Sequence, residues 1–153
     1  MELTDILSAD MVFTDFTARG KKQVLADLCA KLTQKCGLDQ AEVFELILER
    51  ERLGSTGMGR GIAIPHARIP DMDKIVGAFA QLDQPIEFDA IDDEPVNCIF
   101  MLLAPEKSGA EHLKALSIVS RTLRDRDFCE SLTEYTTSDS LYRALVTQSE
   151  RES

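Results

Sequence analysis

The fold class this sequence predicts is α/β: a compact layer sandwich with a small mixed β-sheet flanked by helices. Three observations carry that expectation. Two segments with helical apolar spacing come first. A block of short apolar runs follows, punctuated by all five prolines (Pro65, Pro70, Pro85, Pro95 and Pro105). Beyond Gly109 there is neither glycine nor proline, so the last third is free to be helical. Helices, then strands, then helices is not a strict strand–helix alternation, so a mixed sheet is expected rather than a parallel one.

The elements follow in order. Met11 to Phe16 reads as a short strand. Lys21 to Lys35 places Val24, Leu25, Leu28, Cys29 and Leu32 on one helical face, and Gly37 closes the helix as its C′ residue. Asp39 with Glu42 forms a capping box for a second helix that turns Val43, Phe44, Leu46 and Ile47 inward and ends at Gly54. Strands are expected at Ile62–Ile64, at Ile75–Leu82, and at Val96–Leu103, whose largely apolar character suits a strand buried on both faces. Ser108 with Glu111 reads as a second capping box, opening a helix that buries Leu113, Leu116, Val119 and Leu123. Ser138 starts a last helix carrying Leu141, Tyr142 and Leu145.

The 153 residues suit a single domain, 1–153, with a core of its own. With 17 Lys+Arg against 27 Asp+Glu the chain is strongly acidic, net −10, which argues against general binding to nucleic acid or to anionic membranes. The longest purely apolar run, Cys98 to Ala104, has 7 residues, where a membrane span needs about 20. The N-terminus has no basic region of a secretory signal, so a cytoplasmic protein is expected, with reduced thiols. The cysteines, Cys29, Cys36, Cys98 and Cys129, form no CxxC pair, and neither a metal nor a cofactor is expected.

Chemistry concentrates around the only two histidines, His66 and His112. His66 follows Pro65 at the exit of a strand, where proline stiffens the backbone on both sides. Upstream, Gly54-Ser55-Thr56-Gly57-Met58-Gly59-Arg60-Gly61 can bring backbone N–H groups and two hydroxyls close to an anion. Between Arg50 and Arg68 stand four arginines and one acid, a local net of +3 in an acidic protein, which points to a specific anion. His112 lies in the first turn of its helix, where free N–H groups and the helix dipole favour an anion and disfavour an imidazolium. A neutral imidazole as nucleophile, a guanidinium on the equatorial oxygens and donors around the rest are the parts a phosphoryl acceptor needs.

Plainer readings stand beside these. A histidine can be purely structural, Arg50 and Arg52 can simply complement the C-terminal dipole of their helix, and the glycine loop can be only a turn. That loop is not a P-loop, since no Gly-Lys-Ser/Thr follows, and Ser55 is not in a GxSxG elbow. Asp89 to Glu94 reads as a solvated connection rather than a metal site.

The stretch Glu49-Arg50-Glu51-Arg52-Leu53-Gly54-Ser55-Thr56-Gly57-Met58-Gly59-Arg60-Gly61-Ile62-Ala63-Ile64-Pro65-His66-Ala67 resembles the signature of the type-2 EIIA domains of the phosphoenolpyruvate-dependent phosphotransferase system, the mannitol/fructose and nitrogen-regulatory branch. The resemblance implies that His66 accepts phosphoryl from an HPr-like carrier, with the tele nitrogen as candidate. It implies that Arg50 contacts the phosphoryl group, that His112 assists by hydrogen bonding, and that Ser55 and Thr56 line the phosphate pocket. A chain without IIB or IIC segments looks most like the nitrogen-regulatory type. Its implied partners are a nitrogen-branch HPr homologue and regulatory targets such as potassium-transport or sensor-kinase proteins. The alternatives are a sugar-specific EIIA that hands phosphoryl to a IIB component, and an EIIA-like binding module that is never phosphorylated.

Overall fold

The computed structural model describes residues 1–153. After two single turns of 3₁₀-helix come strand β1 (Val12–Phe16) and helices α1 (Lys21–Cys36) and α2 (Gln40–Arg52). Strands β2 (Gly57–Gly59), β3 (Ile62–Ala63), β4 (His66–Ile69), β5 (Val76–Ile86) and β6 (Val96–Pro105) follow, then helices α3 (Ala110–Leu123), α4 (Arg126–Ser131) and α5 (Ser138–Arg151). The strands form one mixed sheet in the order β1-β5-β6-β3-β2, with β4 also paired to β6. This is the expected α/β sandwich, extended by β2, β4 and α4, which are too short to carry a periodic signal.

β6 is the axis of the molecule. Ile99, Met101 and Leu103 pack with Val24, Leu28, Leu32 and Ile47 of α1 and α2 on one face. Cys98, Phe100, Leu102 and Ala104 pack with Val119, Leu123, Leu141 and Leu145 of α3 and α5 on the other. Its continuous apolar run therefore reflects a strand covered on both sides. Each large side chain fully buried here contributes about 1.5–3 kcal/mol of transfer free energy.

β3 and β4 are one strand interrupted at Ile64–Pro65. Ile62 pairs with Cys98 and His66 with Leu102, both parallel and in the same register. Pro65 has no N–H to give to the ladder, but its carbonyl accepts from Leu102 N at 2.9 Å, so the interruption costs no register. His66 thus opens β4 rather than ending a strand.

The predicted start of α3 is corrected. Gly109, at φ +54°, occupies the N-cap position, a conformation glycine takes without strain, and no side chain caps the helix. Ser108 contributes its carbonyl to Glu111 N (3.1 Å) while its hydroxyl is buried without a partner, and Glu111 pairs with Lys114 instead. The inward stripe is His112, Ala115, Val119, Thr122 and Leu123, which leaves Leu113 65 % exposed. Val119 and Leu123 are buried and Leu116 packs against the core as expected, so only Leu113 was misplaced, because histidine and threonine in the stripe do not register as apolar. At α2, Asp39 accepts from Glu42 N at 3.1 Å as expected.

Candidate phosphoryl-transfer site

His66 and His112 meet. Their ring centroids are 5.6 Å apart with planes tilted by 58°. His66 Nδ1 lies 2.8 Å from the carbonyl oxygen of Ile64. A carbonyl can only accept, so Nδ1 carries the proton and, in the neutral ring, Nε2 holds the free electron pair. Burial holds the His66 pKa below its ordinary 6.5; the Arg50 charge adds to that, and the Ile64 bond and the Glu51 charge oppose it. The ring is therefore neutral near pH 7.

His112, the third residue of α3, is 4 % exposed. Burial, then the charges of His66 and Arg68, push its pKa down to about 4. The pH consequence has a definite sign. Its folded pKa lies below the unfolded value, so the unfolded chain binds the extra proton first and stability falls as pH drops from about 6.5 towards about 4. Urea titrations of wild type and His112→Gln will show this as a shrinking advantage of the wild type across that window, and as parallel behaviour above pH 7.

The four arginines of the cationic stretch part company. Arg50, in the last turn of α2, donates from Nη1 to Gly54 O at 2.8 Å, and its charge acts on His66. Arg68, two residues beyond His66 and so on the same face of β4, acts on His112. Arg52 instead pairs with Glu45 (3.3 Å), and Arg60 donates to Arg124 O (3.1 Å). Two guanidinium groups thus flank the histidine pair, and two serve elsewhere on the surface.

Ser55 and Thr56 lie under the site with their hydroxyls engaged by protein. Ser55 Oγ donates to Phe88 O at 2.9 Å and accepts from Gly57 N at 3.0 Å. Thr56 is buried, and its hydroxyl donates to Glu51. The segment is pressed against the β5–β6 connection: a Cβ on Gly57 would sit 2.8 Å from Ala90 Cα. Glu51, which sequence reasoning passed over, stands at the centre of this arrangement. Its one legible signal was being the only acid among the arginines. No cluster of three or more His, Cys, Asp or Glu side chains is disposed to hold a metal, and the four cysteines are free thiols.

Two neutral imidazoles in contact, one presenting a lone pair beside a guanidinium, suit reversible transfer of an anionic electrophile such as a phosphoryl group. Comparison with known proteins bears directly on this. The model of the family described as phosphoenolpyruvate-dependent sugar phosphotransferase system, EIIA 2, matches residues 5–147. The chain belongs to this family. As an EIIA 2 chain it is a phosphotransferase-system component with the phosphocarrier role of a IIA domain. It is 42 % identical to the nitrogen regulatory protein of Bradyrhizobium diazoefficiens over 146 residues, 95 % of each chain. It is 40 % identical to the fructose-specific EIIA component of Haloferax volcanii, over 77 % of this chain and 75 % of that one. The crystal structure of nitrogen regulatory protein IIA-Ntr from Neisseria meningitidis superposes with a TM-score of 0.88 at 35 % identity, covering 94 % of this chain and 98 % of that one. No helix of this EIIA 2 chain is long and apolar enough to cross a membrane.

Proposed function

We propose that this protein is a phosphohistidine carrier of the nitrogen branch of the phosphotransferase system. It accepts phosphoryl on His66 from an HPr-like protein in the cytoplasm and regulates partner proteins by its phosphorylation state. In the transfer, the P–N bond of the donor phosphohistidine breaks as the Nε2 pair of His66 forms a new one. The donor nitrogen keeps the bonding pair and its ring, protonated on the other nitrogen, leaves as neutral imidazole, while the His66 ring retains its Nδ1 proton. Arg50 neutralises the charge on the transferring oxygens and His112 stands beside them as a hydrogen-bonding partner. Ser55 and Thr56 line the floor of the phosphate site. The observation that carries this reading is the bond from His66 Nδ1 to Ile64, which leaves Nε2 as a neutral nucleophile next to a second neutral imidazole.

Regulation follows from charge. Phosphorylation adds about two negative charges to a small site flanked by Arg50 and Arg68, so a partner reading this face is repelled or recruited according to its own charge. Leu53 (86 % exposed), three residues after Arg50, and Leu113 (65 % exposed), one after His112, are exposed apolar side chains available to a macromolecular partner. Potassium-transport and sensor-kinase proteins are the regulatory targets this reading favours. The test is incubation with phosphoenolpyruvate, enzyme I and HPr-type carriers of both branches. The expected product is a base-stable, acid-labile phosphate on His66, formed faster from the nitrogen-branch carrier; no labelling overturns the reading. The identity to a fructose-specific EIIA component favours a second reading, transfer onward to a IIB protein, and sugar phosphorylation in the same mixture supplied with IIB would establish it.

A further inference from the structure

A buried carboxylate is costly unless something in the fold uses it. The Glu51 side chain is 6 % exposed. Lys21 Nζ, from the first residue of α1, lies 2.9 Å from Glu51 Oε2, and the same ammonium sits 4.7 Å from the centroid of the Phe88 ring and 3.8 Å from Asp89. Glu51 Oε2 also accepts from Thr56 N at 3.2 Å, and its Oε1 accepts from the Thr56 hydroxyl. One carboxylate thereby fastens the last turn of α2 to the start of α1 and to the strand segment beside the site.

The chain of bonds continues to the nucleophile. Thr56 O accepts from Ile64 N at 3.1 Å, and Ile64 O accepts from His66 Nδ1 at 2.8 Å. The two groups of Thr56 belong to different peptide units, and so do those of Ile64, so this is a set of positional constraints and not a proton wire. Ile64 is also held by its buried side chain and by the bond from Leu102 N to Pro65 O, and its N–H bond to Thr56 fixes the backbone on the near side of the carbonyl that reaches His66. If Glu51 releases Thr56, the 55–57 segment loses one of its two side-chain anchors, the other being Ser55 on Phe88 O, and the Ile64 carbonyl loses its aim. The His66 ring can then turn, or move its proton to Nε2.

We infer that Glu51, held by Lys21, is a positioning residue for His66: through Thr56 and Ile64 it fixes the Nδ1–H tautomer and points the Nε2 electron pair outward. The inference rests on the reading of His66 as the phosphoryl acceptor, but its central claim concerns the tautomer, which can be measured without any donor. A positioning partner that holds a functional imidazole through its other nitrogen has a known scale of effect, about 10–100-fold for the outer partners of metal-ligating histidines.

The test uses the full-length protein labelled with ¹⁵N-histidine. With only two histidines, long-range ¹H–¹⁵N correlation spectra report each tautomer directly. Wild type is expected to show His66 as Nδ1–H at pH 7.5; a wild-type His66 in the Nε2–H form overturns the inference outright. Glu51→Gln, which keeps size but loses the ion pair, and Lys21→Met, which leaves the carboxylate in place, are both expected to move His66 towards the Nε2–H form while His112 keeps its own shifts. Phosphoryl acceptance is expected to fall about 10–100-fold in the same variants. A core variant of matched stability loss, Val119→Ala, is expected to leave the tautomer alone. Either Glu51→Gln or Lys21→Met, folded and with both the tautomer and the acceptance rate of wild type, overturns the inference. Absence of labelling in wild type with the tautomer shift present overturns the acceptor reading and leaves the positioning of the ring standing.

Discussion

His66→Ala is expected to abolish phosphoryl acceptance and to leave the fold standing. The variant loses the one ring whose Nε2 pair is left free by the bond from Nδ1 to Ile64. Removal of a covalent nucleophile costs on the order of 10⁴-fold or more in systems where it has been measured. His112 does not take its place. It is neutral in the working range, with a pKa of about 4, but it is 4 % exposed behind a half-buried His66, so a docking phosphohistidine meets His66 first. The stability cost is small because His66 is only half-buried and makes one hydrogen bond, worth about 1 kcal/mol. Labelling from phosphoenolpyruvate through enzyme I and HPr-type carriers, with a thermal melt alongside, checks both halves. Labelling of the variant at the wild-type rate would assign the acceptor elsewhere. The wild-type pH profile adds a constraint. Because burial lowers the His66 pKa, acceptance is expected to persist to lower pH than an ordinary imidazole would allow, and to decline as the pH falls through that lowered pKa.

The parts of the molecule legible in the sequence were those in which one residue type serves one purpose. β6 could be read because both of its faces are buried, so every position from Cys98 to Ala104 is apolar. α1 could be read because Val24, Leu25, Leu28, Cys29 and Leu32 all face the sheet and Gly37 takes a left-handed φ of +69° behind them. His66 and His112 stood out by rarity and by backbone context, and the structure brings them into contact. Legibility failed where tertiary partners decide. The proline at 65 suggested a strand end, yet the strand resumes at His66 because β6 offers the same register on both sides of it. On α3 Val119 and Leu123 were legible and only Leu113 was misplaced, because a histidine and a threonine share the buried stripe. The arginine stretch looked like one cationic unit, although Arg52 finds its partner in Glu45, two turns back along α2, and Arg60 in the Arg124 carbonyl, far away in the chain. Glu51 was passed over because the value of a buried acid depends on Lys21 and Thr56, which approach it only in the folded chain.

Arg50→Ala separates two roles that coincide in one side chain, and a rate loss of about 10²–10³-fold with a modest loss of stability is the expected outcome. The structural role is visible: Nη1 donates to Gly54 O at 2.8 Å just past the end of α2, where a cation also complements the helix dipole. A partly exposed bond of that kind contributes about 1 kcal/mol, a few degrees of melting temperature in a chain of this size. The chemical role is larger, because a preorganised cation beside a transferring phosphoryl group acts mainly on the transition state, where removal of one such donor costs the greater factor. The two roles also differ in pH dependence. Arg50 lowers the His66 pKa, so removing it raises that pKa and increases the protonated, non-nucleophilic fraction as pH falls. If that were its whole contribution, the variant would recover wild-type rates by pH 8, where His66 is neutral with or without the arginine. A deficit that persists at pH 8 identifies direct contact with the phosphoryl oxygens, and Arg50→Lys, which keeps the charge but not the planar fork, should then fall between the two. Collapse of the fold in Arg50→Ala would assign the side chain to capping α2. A folded variant at the wild-type rate would remove it from the site.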